Sequence, residues 1–230
     1  MSTARDTVNS TPELLELTLA QLPMRDLLLA APLVSKTWLT ITLSPTVQRA
    51  LFFQPDPQSE PVQNPLLVEL FPPFFAPEGQ NRWAWPGQAS AIMSMPWSKA
   101  PDAFRRADAS WRRMLVTQPP TQTIVIREIN HARMGDFERQ AVLRDLSLRM
   151  GALYDLSVPF IDRVASSFCI RWHPGLELEG DLTLVVMATQ QCNPRSGRIL
   201  DERFHSQPGI EESLEIKFGQ SVQRPRGQEP

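Results

Sequence analysis

The sequence predicts an α+β protein in which a small N-terminal helical unit is followed by a mixed domain with helices and a mainly antiparallel sheet. Three observations carry this. Residues 10–53 string together helix start and stop signals. Residues 54–65 are rich in proline and polar side chains, which continue neither a helix nor a central strand. The segments with β-branched or alternating patterning come mostly late, from Thr123 onward.

At the start of the helical unit, Ser10 or Thr11 can cap, Pro12 suits a first turn, and Glu13 favours the positive end of the helix. Ser10 and Glu13 also have capping-box spacing. Leu22-Pro23 ends this helix. Asp26 is placed to cap the next, Pro32 interrupts it, and Ser44-Pro45 opens another through SPTVQRALFF. Residues 1–9 and 223–230 are polar and aperiodic, so both ends are expected to be mobile. The expected organisation is a helical unit over 10–53, a semi-stiff linker over 54–65 and an α+β domain over 66–222.

Within that domain, NPLLVELFPPFF predicts one apolar turn of helix stopped by Pro72-Pro73. The tract from Asn81 to Ala103 carries Trp83, Trp85 and Trp97 with no period that assigns it. Asp108 is placed to cap a helix through ASWRRMLV, with Trp111 and Leu115 on one face, and a second helix is expected from Asp136 towards Met150. TIVIREI reads as a strand, and VASSFCIRW as one with Phe168, Ile170 and Trp172 on a single face. DLTLVVMA is apolar on both faces, as a covered central strand is; SLEIKF, with Leu214, Ile216 and Phe218 on one side, predicts a half-exposed one. No period of 20 to 50 residues occurs, which argues against leucine-rich, kelch and WD40 arrays.

With 42% hydrophobic residues over 230 positions, the chain can bury a core without staples, so Cys169 and Cys192 are read as thiols. A formal net charge of -2 provides no field for phosphate backbones or anionic lipid, and nucleic acid and membrane are not expected partners. Runs such as Leu27–Ala31 and Leu182–Ala188 fall far short of the ~20 residues that cross a bilayer. The opening MSTARDTVNS lacks the apolar stretch of a secretory signal, so a cytosolic or nuclear address is expected.

The first helix carries two apolar stripes. At roughly 100° per residue, Leu15, Leu19 and Leu22 cluster on one side while Leu14 and Leu17 fall well away from them. A helix inside a three-helix unit needs one buried stripe, so the other meets either the following domain or another protein. The pattern does not say which stripe plays which part.

In order and spacing, PELLEL, LPMRDLLLAAPLVSKTW and SPTVQRALFF resemble the F-box and its flank in fungal F-box proteins. The matching elements are Pro12-Glu13, Leu22-Pro23, Asp26-Leu27-Leu28 and the segment from Val34 to Trp38. Two departures stand out: Thr11 takes the place of the usual Leu before Pro12, and Pro32 lies where most members continue helix. NPLLVELFPPFF, DASWRRMLVTQPP and LRMGALYDL look like the C-terminal part of the same group, a resemblance that carries no known ligand. The resemblance implies that Pro12, Leu14, Leu15, Leu22, Pro23, Leu27, Leu28, Val34 and Trp38 dock on the Skp adaptor of a cullin-based ubiquitin ligase. Trp38 has a second reading as the core aromatic of the unit itself.

Cys169 and His173 share one side of a strand but stand four residues apart, roughly 13 Å. That is too far for a thiol–imidazole bond or a shared ion, and neither Cys192 nor His205 completes a zinc spacing, so no metal and no cofactor are expected. Gly-rich phosphate loops, HExxH pairs and GxSxG elbows are missing from the sequence. The arginines at 105, 106, 112 and 113 alternate with Asp102 and Asp108, as on a solvated helix face. Trp83, Trp85 and Trp97 remain candidates for contact with a target, against the plainer reading as core. The expected role is therefore a non-catalytic target receptor. The rival readings are an F-box scaffold outside any ligase and a small-molecule-binding or enzymatic C-terminal domain with the F-box as its handle.

Overall fold

A computed structural model describes residues 8, 11–77, 85–100, 106–132, 135–144, 147–161, 166–173, 180–189, 216, 218–220 and 222–224. From residue 11 on, the described residues run through five short helices: α1 (Pro12–Leu19), α2 (Met24–Leu29), α3 (Ala31–Val34), α4 (Lys36–Thr42) and α5 (Pro45–Ala50). Then follow β1 (Val62–Gln63), α6 (Pro65–Leu70), α7 (Pro72–Phe75), β2 (Gly87–Gln88), α8 (Ala89–Met93), a 3-10 turn over Pro96–Lys99 and α9 (Ser110–Arg113). The remainder is β3 (Thr117–Gln118), β4 (Ile124–Ala132), β5 (Gly135–Leu143), α10 (Met150–Ser157), a 3-10 turn over Val158–Ile161, β6 (Ser166–Trp172), β7 (Leu182–Thr189) and β8 (Val222–Arg224). This is the expected α+β class.

Two compact units divide the chain, residues 1–66 with 114–120, and 67–113 with 121–230. In the first, Leu15, Leu19, Leu27, Ala31, Ile41, Val47 and Leu51 form one buried cluster. Proline and serine set the helix boundaries: Pro12 lies in the first turn of α1, Ser35 accepts from the Trp38 N–H to cap α4, and Ser44 accepts from the Val47 N–H to cap α5. Thr11 occupies the cap position of α1 without a side-chain bond, and Asp26 lies in the first turn of α2, where Pro23 takes the cap position.

The segment 54–65, expected as a spacer, is instead part of this first unit. Val62–Gln63 pairs antiparallel with Thr117–Gln118, and buried Asn64 donates through Nδ2 to the Leu115 carbonyl and accepts from the Leu66 N–H. Gln118 Nε2 donates to the carbonyls of Arg49 at 2.9 Å and Gln54 at 3.1 Å, both near the end of α5. The expected helix through ASWRRMLV therefore stops at Arg113. Leu115 gives its N–H to Phe52, and Met114, Leu115 and Val116 are fully buried.

The second unit is built on a six-stranded sheet in the order β2-β6-β7-β4-β5-β8, antiparallel at every pair except β4 with β7. The expected covered central strand is β7, buried from Leu182 to Met187. Phe168, Ile170 and Trp172 do share one face. Aromatic rings pack there: Phe74 meets Tyr154 and Phe168, Phe71 meets Trp111, and Phe75 stacks on Trp172. Burial pushes the Tyr154 phenol above its ordinary pKa. Gly87 is required where β2 crosses Phe168, because a Cβ there would come within 2.3 Å of the ring.

Further expectations are corrected here. The helix foreseen from Asp136 is strand β5, a hairpin partner of β4 in which Arg139 pairs with Glu128 and Arg127 with Glu138; the helix begins only at Met150. Of SLEIKF, the described residues Ile216 and Phe218 are not in strand, while Leu214 lies outside the described residues. The terminal pairing falls later, at Val222–Arg224, so positions 223 and 224 of the expected mobile tail belong to β8. Finally, Pro72-Pro73 ends α6 and also starts α7.

The Gln118 side chain ties β3 to the end of α5, and losing a buried bond of this kind costs about 1–3 kcal/mol. Gln118→Ala is expected to speed amide exchange in α5 while leaving β4 unchanged. Equal protection of α5 in the variant and the parent would show that the 114–120 return does not hold the helical unit.

Candidate functional site

The candidate site is the outer apolar surface of the helical unit. Leu15 and Leu19 are completely buried, whereas Leu14 and Leu17, on the same helix, are 42% and 61% exposed. The stripes seen in the sequence are thereby assigned: Leu15, Leu19 and the partly buried Leu22 belong to the core, and Leu14 and Leu17 face outward. Leu29 of α2, Leu33 and Val34 of α3, and Leu39 and Leu43 in and just after α4 are exposed as well.

The nine residues assigned to adaptor docking by resemblance separate into three groups. Pro12, Leu14, Pro23 and Val34 are exposed. Leu22, Leu28 and Trp38 are partly buried against the core, which gives Trp38 a core contact and a remaining open part. Leu15 and Leu27 are buried at 0% and 1%, so no partner reaches them without unfolding the unit. Leu17, Leu29, Leu33, Leu39 and Leu43 were not singled out as docking residues. Spacing on α1 already separated Leu17 from the core stripe, but the turns around Pro32 that expose Leu29 and Leu33 had no period to betray them.

A polar contact links α1 to α5 beside the two stripes. Hydrogen bonds from the Ser44 hydroxyl, then the Thr46 hydroxyl and backbone N–H, hold the Glu16 carboxyl below its ordinary pKa. Glu16 thus ties α1 to the start of α5, one residue from each of the two stripes.

In the second unit Trp85 is the one candidate tryptophan whose side chain is among the described residues. Trp85 is buried against Cys169, Val185 and Met187; Trp83 lies outside the described residues, as does the side chain of Trp97. The candidate target contact at Trp85 is therefore a core position. Cys169 lies in that core, while His173 Nε2 meets the Thr183 hydroxyl at 3.1 Å, so the two side chains have different neighbours. Arg106 pairs with Asp108, Arg112 pairs with Asp155, and the Arg113 carbonyl accepts from Arg149; Arg105 lies outside the described residues. Among the described residues no group of three or more His, Cys, Asp or Glu could hold a metal ion, and no helix is long and apolar enough to cross a membrane.

No protein-family model, no curated protein and no solved structure matches the chain.

Because the Glu16 carboxyl is lowered in the folded state, its contribution to stability is fully present above the ordinary glutamate range. It is lost as pH falls through the lower folded value. Chemical denaturation followed across that range is expected to show stability falling towards acid, with a shallower fall in Glu16→Gln. An unchanged slope in the variant would remove Glu16 as the tie between α1 and α5.

Proposed function

We propose that this chain is the substrate-receptor subunit of a Skp/cullin/F-box ubiquitin ligase, binding the Skp adaptor through its helical unit and a target through its second unit. The observation that carries the reading is the exposure of Leu14 and Leu17 on a helix whose Leu15 and Leu19 already complete a core. Burying one leucine side chain contributes about 1.5–3 kcal/mol, and association costs roughly 4–15 kcal/mol in lost freedom. A single outward leucine therefore holds no partner, but seven outward apolar side chains on one small unit can. Pro12 and Pro23 are exposed on the same unit, and Trp38 is partly open.

The chain itself performs no chemistry on this reading. Its mechanism is proximity, in which a tethered target is held at high effective concentration beside the catalytic subunits of the ligase. It works in the cytosol or nucleus and takes no cofactor.

The two stripes of α1 supply the test. Leu14→Ala with Leu17→Ala is expected to leave the melting temperature nearly unchanged and to weaken binding to purified Skp adaptor. Leu15→Ala with Leu19→Ala removes two buried leucines at about 2–5 kcal/mol each and is expected to unfold the helical unit. The proposal fails if the outward pair leaves adaptor binding intact, or if the adaptor does not bind the parent chain.

A further inference from the structure

The chain carries 20 arginines but only three lysines, Lys36, Lys99 and Lys217. Lysine is otherwise among the commonest residues of soluble domains, and the two cations differ in chemistry more than in charge. The lysine ε-amine is an acceptor for ubiquitin, whereas the arginine guanidinium stays protonated and its lone pairs are delocalised. Lys99 ends the 3-10 turn over Pro96–Lys99, and Lys217 lies outside the described residues. Lys36 is the one lysine of the helical unit.

Lys36 is exposed and is the first residue of α4 after the Ser35 cap. Positions three and seven further along a helix return to the same face, and here those are Leu39 and Leu43, both exposed. Ile41 and Thr42 are buried on the opposite side, where Trp38 also packs against the core. Lys36 therefore stands at the end of the outward stripe of α4, two residues after exposed Val34. Its four-carbon stem can lie along Leu39 with the ammonium at the rim. A partner seated on Leu39 and Leu43 covers the lysine as well.

We propose that this chain is shielded from the ligase it recruits: adaptor docking covers Lys36, the one acceptor amine of the helical unit, and arginine supplies the positive charge nearly everywhere else. This deepens the receptor function proposed above and rests on it. A receptor is held beside a ubiquitin-loaded conjugating enzyme, so its own amines compete with those of the target at a similar effective concentration. In the transfer, the free-base ε-amine attacks the thioester carbonyl at the ubiquitin C-terminus. A C–N bond forms, the C–S bond to the conjugating enzyme breaks, and the released cysteine thiol takes the proton that the nitrogen gives up. A guanidinium at the same place does not make that attack, so the arginines keep the surface charged without diverting ubiquitin from the target.

Two measurements on the full chain test this. In the first, amines are acetylated with an N-hydroxysuccinimide ester and Lys36 is followed by peptide mass spectrometry, with and without purified Skp adaptor. With adaptor at roughly ten times its Kd, about one chain in eleven is free, so labelling of Lys36 is expected to slow about tenfold. In the second, the reconstituted ligase, with ubiquitin, activating and conjugating enzymes and ATP, acts on the parent and on the full-length double variant Arg49→Lys with Arg106→Lys. Both arginines are exposed, lie outside the outward apolar set and keep their charge on substitution. The parent is expected to take up little ubiquitin and the variant severalfold more, at equal adaptor binding. If the double variant loses cooperative unfolding, Arg106→Lys alone decides the question. Unchanged labelling of Lys36 in the adaptor-bound chain, or equal ubiquitin on parent and folded variant, overturns the proposal. A parent chain that binds no adaptor overturns the receptor reading itself, and this inference with it.

Discussion

Burial of Leu15 and Leu19 against Leu27, Ala31, Ile41, Val47 and Leu51 is the constraint on which the helical unit depends. One turn of helix separates the two leucines, so burying them fixes the rotation of α1 about its axis. Once that rotation is set, Leu14 and Leu17 have no place in the same core. Their exposure follows from geometry and requires no separate cause. On the polar side, Ser44 and Thr46 hold the Glu16 carboxyl below its ordinary pKa.

That core does not close with the helices alone. The carbonyls at the end of α5 would face an incomplete set of donors without Gln118, and Asn64 would be a buried amide without its partner at Leu115. Unpaired buried polar groups cost more than the bonds themselves contribute, so the return of residues 114–120 is a condition for the unit rather than an ornament on it. Nothing in the local sequence announces this. Gln118 lies 69 positions from Arg49, and a long-range side-chain bond leaves no period, composition or spacing to read. The prolines of 54–65 are legible as breaks, but a break shows only that regular structure stops, and here it stops in turns leading to Val62–Gln63.

Legibility elsewhere follows the same division between local and distant causes. TIVIREI, VASSFCIRW and DLTLVVMA were readable as strands because β-branched residues and a two-residue period act locally, and the observed β4, β6 and β7 lie on them. β5 was misread because GDFERQAVLRDL has charges scattered as on a solvated helix, while its pairing is decided by β4. Glu128 is almost buried, and both its oxygens are satisfied only across or along the sheet, by Arg139 at 2.5 Å and Asn130 at 3.0 Å. A buried carboxylate without such partners costs several kcal/mol, so the strand state of 135–143 is imposed by its neighbour. Of the candidate docking surface, the two stripes of α1 were visible as separate sets, and their assignment was not, since periodicity distinguishes faces without saying which one faces inward.

The exposed leucines also bear on how the helical unit is used. Single apolar side chains at a surface are ordinary and signify nothing. Leu14, Leu17, Leu29, Leu33, Val34, Leu39 and Leu43, however, all belong to one short helical stretch whose core is already filled. Reversing any one of them inward would require displacing a fully buried residue, at a cost of about 2–5 kcal/mol for each large side chain lost from the core. The unit cannot relieve its exposed apolar area by rearranging itself, and a further surface must cover it if that area is to leave water. A stable core beside an unfilled outer face is what the proposed docking role requires: a fold complete without a partner, with the free energy of the outer leucines left over for association.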